Sequence, residues 1–140
     1  MLTGRGAELC SQIEQFIEAH LAEPGLSPAD VAAAVGLSVR HLQRLFARNG
    51  TTAAEWIRER RLEHCRSDLC DPRFSRKSIT EISFLWGFSD SAHFSRSFKT
   101  RFGASPRIFR SRTWAGGWSP ERGEQERLPG AANLRQSRPN

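Results

Sequence analysis

Apolar positions recur along this chain at helical spacing, and no stretch alternates with the period of two that marks a strand, so the pattern predicts helices without a sheet. Leu9, Ile13, Phe16, Ile17 and Leu21 define an amphipathic helix over about 7–22, which Pro24-Gly25 stops. Ser27-Pro28-x-Asp30 then reads as a helix start, with a capping hydroxyl, a proline where no N–H is needed and an acid at the third position. The short helix that follows reaches Val35 and ends at Gly36. Ser38 caps a third helix, 38–48, whose inward face is Leu42, Leu45 and Phe46, and Asn49-Gly50 ends it. Thr52-x-x-Glu55 opens a longer helix, 52–69, through Trp56, Ile57, Leu62, Cys65 and Leu69, closed before Asp71-Pro72. After a loop at 71–77, Ser78-x-x-Glu81 starts a fifth helix through Ile82, Leu85 and Trp86 to Gly87. Ser89-Asp90 caps a sixth, 90–102, with Phe94, Phe98 and Phe102 at i, i+4 and i+8 and a stop at Gly103. Ser105-Pro106 begins a short seventh that runs to about Arg112. From Thr113 onward the periodicity disappears among glycines and prolines, and 113–140 is expected to be a mostly disordered tail.

Part of this pattern occurs twice. With Gly36 set on Gly87, Asp30 falls on Glu81, Val31 on Ile82, Leu37 on Phe88 and Ser38 on Ser89. After one extra residue in the second copy, Leu42 falls on Phe94, Arg44 on Arg96 and Phe46 on Phe98. Each copy is a short helix, a glycine turn and a second helix with one apolar stripe, which is the helix-turn-helix layout. The turn glycine permits a positive φ, and the small residue four places before it (Ala32, Ser83) lets the second helix approach closely. The expected fold is therefore all-α, with about seven helices. Two helix-turn-helix subdomains, 1–50 and 71–112, are joined by a linker helix at 51–70 and followed by the tail.

Composition narrows the function. The 140 residues suit one compact domain or two small ones on a shared framework. No apolar run approaches the ~18 residues of a membrane span, and the N-terminus lacks the basic-then-apolar layout of a secretory signal, so a cytoplasmic setting is expected. Cys10, Cys65 and Cys70 are odd in number and lack Cys-x-x-Cys spacing, which points to small buried hydrophobes rather than a disulfide framework or zinc site. Charge is uneven. Residues 1–37 hold one basic and five acidic residues, whereas 38–112 hold sixteen basic and seven acidic, so a polyanion suits the second region. There is no phosphate-binding glycine loop, nucleophile elbow or metal-ligand cluster, and His64-Cys65 is an adjacent pair whose side chains diverge on a helix. Neither an enzyme nor a cofactor is expected. A helical adaptor that turns its basic face to an acidic protein is the rival class.

The sequence resembles the DNA-binding domain of the AraC/XylS transcription regulators over about residues 7–112. The most specific stretch is Ile82, then Trp86-Gly87-Phe88-Ser89-Asp90-Ser91-Ala92-His93-Phe94-Ser95-Arg96-Ser97-Phe98-Lys99, then Arg101-Phe102-Gly103-Ala104-Ser105-Pro106. The first copy matches through Gly36-Leu37-Ser38, Leu42-Gln43-Arg44 and Phe46, and the linker through Trp56-Ile57 and Arg61-Leu62. Ser83 stands where the family usually has alanine, and Arg40 at an often aromatic or variable position.

The resemblance implies a bacterial, nucleoid-associated regulator that binds double-stranded DNA in successive major grooves. On the third helix Arg40, Gln43 and Arg44 lie away from the apolar stripe, with side chains suited to guanine and adenine edges. On the sixth helix the outward residues are Ser91, Ala92, Ser95 and Arg96. Ser38, His41, Ser89, His93, Lys99, Arg101 and Arg107 are the candidate phosphate contacts. A linker helix of about 27 Å, extended by its flanks, suits one DNA turn, so the target is expected to be an asymmetric site of about two turns. The resemblance further implies activation by contact with RNA polymerase. It also implies a separate effector-binding domain that these residues do not supply, which makes the chain the expected C-terminal piece of a longer regulator.

Overall fold

The structure is a computed structural model that describes residues 4–114. Among the described residues there are seven α-helices, one short 3-10 turn and no strand: α1 Gly4–His20, α2 Pro28–Ala34, α3 Val39–Ala47, α4 Ala53–Leu69, the turn Pro72–Phe74, α5 Ile79–Leu85, α6 Ser91–Phe102 and α7 Pro106–Trp114. The expected loop at 71–77 thus contains a turn of helix, which Asp71 caps through the N–H of Arg73 (2.9 Å). The seventh helix runs to Trp114, two residues past its expected end, and the Thr113 hydroxyl bonds the Phe109 carbonyl (3.0 Å). The rest of the expected tail lies outside the described residues.

Local capping explains most of the boundaries. At α2 the box is complete, since Ser27 Oγ accepts from Asp30 N (3.3 Å) and the Asp30 carboxylate accepts from Ser27 N (3.0 Å). At α4, Thr52 accepts from Glu55 N (3.1 Å), and the Glu55 carboxylate turns to the Thr51 hydroxyl (3.1 Å). Ser78 caps α5 through Glu81 N (3.0 Å).

The chain folds as two compact units that divide within α4. The first contains α1 and Gly25–Arg60. Its buried apolar residues include Ile13, Ile17 and Leu21 from α1, Val31 from α2, Leu42 and Phe46 from α3, and Trp56 and Ile57 from α4. The Phe46 and Trp56 rings lie 6.1 Å apart, and Arg60 pairs with Glu18.

Among the described residues the second unit takes 61–114 with Ala22–Pro24, whose Glu23 carbonyl accepts from Arg61 (2.6 Å). Its core is Leu62, Cys65, Leu69, Ile82, Phe88, Phe94 and Phe98, with Phe102 and Phe109 packed on it. The phenylalanines form a continuous set of ring contacts: Phe88 to Phe94 at 4.9 Å, Phe94 to Phe98 at 5.7 Å, Phe98 to Phe102 at 4.6 Å and Phe98 to Phe109 at 5.5 Å. Each pair adds about 0.5–1.5 kcal/mol beyond area burial. Leu85 departs from the expected apolar run: it is 46% exposed, beside Phe84 at 49%. The two-turn α5 turns the stripe Ile79, Ile82, Ser83 and Trp86 inward, at i, i+3, i+4 and i+7, and Leu85 falls outside that arc.

The repeat reproduces the same two glycine-turn bonds in both copies. Leu37 N reaches Ala32 O (2.9 Å) and Gly36 N reaches Ala33 O (3.3 Å); Phe88 N reaches Ser83 O (3.1 Å) and Gly87 N reaches Phe84 O (3.1 Å). These are the 6→1 and 5→2 bonds of a Schellman ending, which requires the left-handed backbone seen at Gly36 (φ 74°) and Gly87 (φ 94°). Ala32 and Ser83 are both buried, and the Ser83 hydroxyl is satisfied by Thr80 O (2.8 Å). A serine therefore fits where close approach needs a small side chain.

Candidate nucleic-acid interface

In the first unit, α3 buries Leu42, Leu45 and Phe46 and leaves Arg40, His41, Gln43, Arg44 and Arg48 exposed. No acidic residue occurs between Asp30 and Glu55. Arg40 and Arg44 form no ion pair with a described residue, so their guanidinium groups are available to a ligand. The Ser38 hydroxyl accepts from His41 N (3.1 Å), which leaves its own proton for donation at the start of the helix. Arg48 extends the Arg40, Arg44 stripe at i+8. Its spacing in the sequence is the signal that places it there.

In the second unit, Ser91, Ala92, His93 and Arg96 are exposed on α6, and Ser95 is half-buried. The cap is Asp90: its carboxylate accepts from Ala92 N (2.9 Å) and His93 N (3.1 Å). The expected pair of caps thus resolves to one, and Ser89 stands exposed beside it. The backbone bonds from His93 and Ala92 hold the Asp90 carboxyl below its ordinary range, and the charges of Arg96 and His93 add to the effect. A negative charge occupies the N–H groups that a phosphate would use at this helix start.

Lys99 and Arg107 are exposed as a phosphate contact requires, but Arg101 is not. Its side chain is 9% exposed, and it donates to Glu63 (3.3 Å), which also binds Arg66 (2.7 Å). Both guanidinium groups lie 4.9 Å from the centre of the Phe102 ring. Arg101 is therefore a half-buried tie between α6 and α4, not the exposed cation expected for a phosphate contact. The cause is its position on the side of α6 that meets Glu63. Arg110 is likewise committed, to the carbonyls of Phe74 and Lys77. Arg76, Lys77 and Arg112 are further exposed cations of this unit.

Cys65 and His64 are engaged in packing within the second unit. Burial, with the Asp68 charge second, pushes the Cys65 thiol far up, and its sulfur lies 3.9 Å from the Ile82 carbonyl. The His64 ring stacks on Trp86 at 4.1 Å, and the Trp86 indole donates to Asp68 (2.7 Å). No group of three or more metal-ligating side chains occurs among the described residues. No helix among them is long and apolar enough to cross a membrane.

Two helix-turn-helix motifs, each with an exposed polar second helix, define this chain as a tandem helix-turn-helix protein. Residues 17–112 match the helix-turn-helix domain family. The chain is 36% identical over 100 residues to the transcriptional activator NphR of Rhodococcus sp, covering 71% of this chain and 29% of that protein. It is 35% identical over 103 residues to the XylDLEGF operon transcriptional activator of Pseudomonas putida, covering 73% and 32%. A crystal structure of an AraC-type transcriptional regulator from Chromobacterium violaceum superposes with a TM-score of 0.71 at 33% identity, covering 82% of this chain and all of that one. The chain belongs to the AraC/XylS family. It spans about a third or less of the length of these curated relatives.

Proposed function

We propose that this chain binds double-stranded DNA by sequence and regulates transcription, as an activator, from the bacterial nucleoid. The observation that carries the reading is α3, where Arg40, Gln43 and Arg44 stand exposed on a helix whose other side is buried, in an acid-free stretch. Arginine can hold guanine O6 and N7 together, and glutamine can hold adenine N6 and N7. Ser91, Ala92, Ser95 and Arg96 of α6 are the second set of base contacts. Ser38, His41, Ser89, His93, Lys99 and Arg107 are the phosphate contacts. In this reading 1–50 and 71–112 are the two reading subdomains, 51–70 links them, and the target is an asymmetric site of about two turns. The exposed Phe84 and Leu85 give α5 an apolar spot suited to a protein partner, and activation calls for RNA polymerase. The printed functions of the activator relatives support that direction, and their greater length leaves room for an effector-binding domain.

The test is selection of binding sites from random duplex, followed by anisotropy titrations on the selected site. With about five to seven phosphates engaged, log K should fall against log salt with a slope on the order of −5. A slope near zero, or tighter binding to an acidic protein than to duplex, would sink the reading in favour of an adaptor. Inserting five base pairs between the half-sites should remove most of the bivalent gain by turning one half-site about half a turn away. Unchanged affinity would mean that one motif alone binds.

A further inference from the structure

We propose that the second unit holds DNA through a phosphate-binding surface off its recognition helix, made by Arg76, Lys77 and Arg107. The inference rests on the DNA-binding reading and adds contacts to it. The segment from the 3-10 turn to α5 is fixed by Arg110 of α7, whose guanidinium donates to Phe74 O (2.7 Å) and Lys77 O (2.6 Å). Lys77 N closes the same segment onto Phe74 O (3.0 Å). A charge-assisted fork on two carbonyls orders this short loop, which Phe74 also anchors to the core of the unit.

The two cations inside this clamped loop point outward. Arg76 and Lys77 are exposed, and neither forms an ion pair with a described residue. Arg107 is exposed one turn before Arg110, and residues three apart on a helix are neighbours on its surface. Arg107 therefore stands on the side of α7 that meets the loop. The acids around this surface are few. Asp71 is taken by Arg73 (2.7 Å), and Glu81 follows in the first turn of α5. Between Ala92 and Trp114 there is no acid at all.

Three exposed cations on an ordered frame suit a regular row of phosphates. They carry no base information, because they lie on a loop and on α7 rather than on a recognition helix. The Asp90 carboxylate already occupies the N–H groups of Ala92 and His93 at the start of α6, so cations off that helix add phosphate contacts that those two N–H groups do not make.

The experiment compares the parent chain with Arg76→Gln/Lys77→Gln, and with the triple variant that adds Arg107→Gln, on the selected duplex from about 0.05 to 0.3 M salt. Each lost phosphate contact should flatten the salt slope by about 0.9, so about 1.8 for the double variant and about 2.7 for the triple. Base preference in a random library should be unchanged, and thermal unfolding should match the parent. An unchanged slope in the double variant, with tight parent binding, overturns this surface while leaving the DNA reading intact, whatever Arg107→Gln adds in the triple variant. Failure of the parent to bind any duplex overturns the DNA reading itself. Poly-glutamate binding that the double variant loses, without duplex binding, would assign the surface to an acidic protein and also overturn the proposal. Reversal to Arg76→Glu/Lys77→Glu should deepen the loss of affinity; affinity equal to the parent would refute the surface.

Discussion

Arg101 separates a structural cation from a DNA-binding one more sharply than any other residue here, and Arg101→Met tests the separation. Its side chain is 9% exposed, bound to Glu63 at 3.3 Å and set against the Phe102 ring at 4.9 Å. Removing one partner of a fully buried ion pair costs about 3–5 kcal/mol when the other charge is stranded, an upper bound for this part-buried pair. Glu63 is not stranded, because it keeps Arg66 at 2.7 Å. Methionine also refills part of the volume and keeps contact with the ring. The loss should therefore fall at or below the low end, about 2–3 kcal/mol. For a chain of this size each kcal/mol moves Tm by about 3–5 °C, so a fall of roughly 10 °C is expected. The assay pairs thermal unfolding by circular dichroism with the salt slope from anisotropy. Arg101→Met should melt early and keep the parent slope. Lys99→Met, changed at an exposed site two residues away, should melt like the parent and flatten the slope by about 0.9. The reverse pattern, with Arg101→Met melting normally and losing slope, would show that Arg101 faces phosphate and that its bond to Glu63 is incidental.

Arg44→Ala should leave Tm unchanged, weaken the preferred site by about 1–3 kcal/mol and relax preference at one base position; an unaltered preference profile would remove it from the base-reading set. Gly36→Ala meets no atom within 4 Å of the new Cβ, so its cost is backbone strain alone at φ +74°, about 1–2 kcal/mol in urea unfolding, with Gly36→Asn costing less. Equal losses for the two variants would mean that something other than left-handed strain is at work. Asp90 has a depressed pKa in the fold, so its contribution is present above the ordinary value of 3.8 and is lost as pH falls through the lower folded value. Asp90→Asn should therefore flatten the acid limb of the stability profile below about pH 4, and parent and variant curves that stay parallel there would refute the capping role. In native protein, Cys65 should resist thiol reagents that label it after unfolding, because burial disfavours its thiolate.

The helices were legible because their signals are local. A serine or threonine cap meets an N–H three residues on, as at Ser38, Thr52 and Ser78, and a Schellman glycine closes its turn within five residues. The polar face of α3 was legible for the same reason, since one helical period decides that Arg40, Gln43 and Arg44 oppose Leu42 and Phe46. What escaped depends on distant partners. Lys99 and Arg101 carry equal weight in the sequence, yet one stays in solvent and the other meets Glu63, which lies 38 residues earlier. Arg110 finds its carbonyls 33 and 36 residues away. The choice of Asp90 over Ser89 as cap turns on where the first helical turn begins, and adjacent capping residues leave that open.

The two copies share a frame and differ in chemistry, and the physical reason is that different positions set each. The frame needs a left-handed glycine, a small residue four places earlier and an apolar stripe, and both copies supply them. The outward positions are not constrained by packing, so they were free to diverge. In the first copy a neutral serine caps a helix that carries three long donors. In the second a carboxylate caps a helix whose outward residues are mostly short, and it occupies the N–H groups of Ala92 and His93. A helix start so occupied gains nothing from a phosphate. The charge that the second unit offers to phosphate, on the proposed function, comes mainly from Lys99, Arg107 and the clamped loop, which are exposed. On the proposed function, the first copy then supplies most of the sequence discrimination and the second supplies most of the salt dependence.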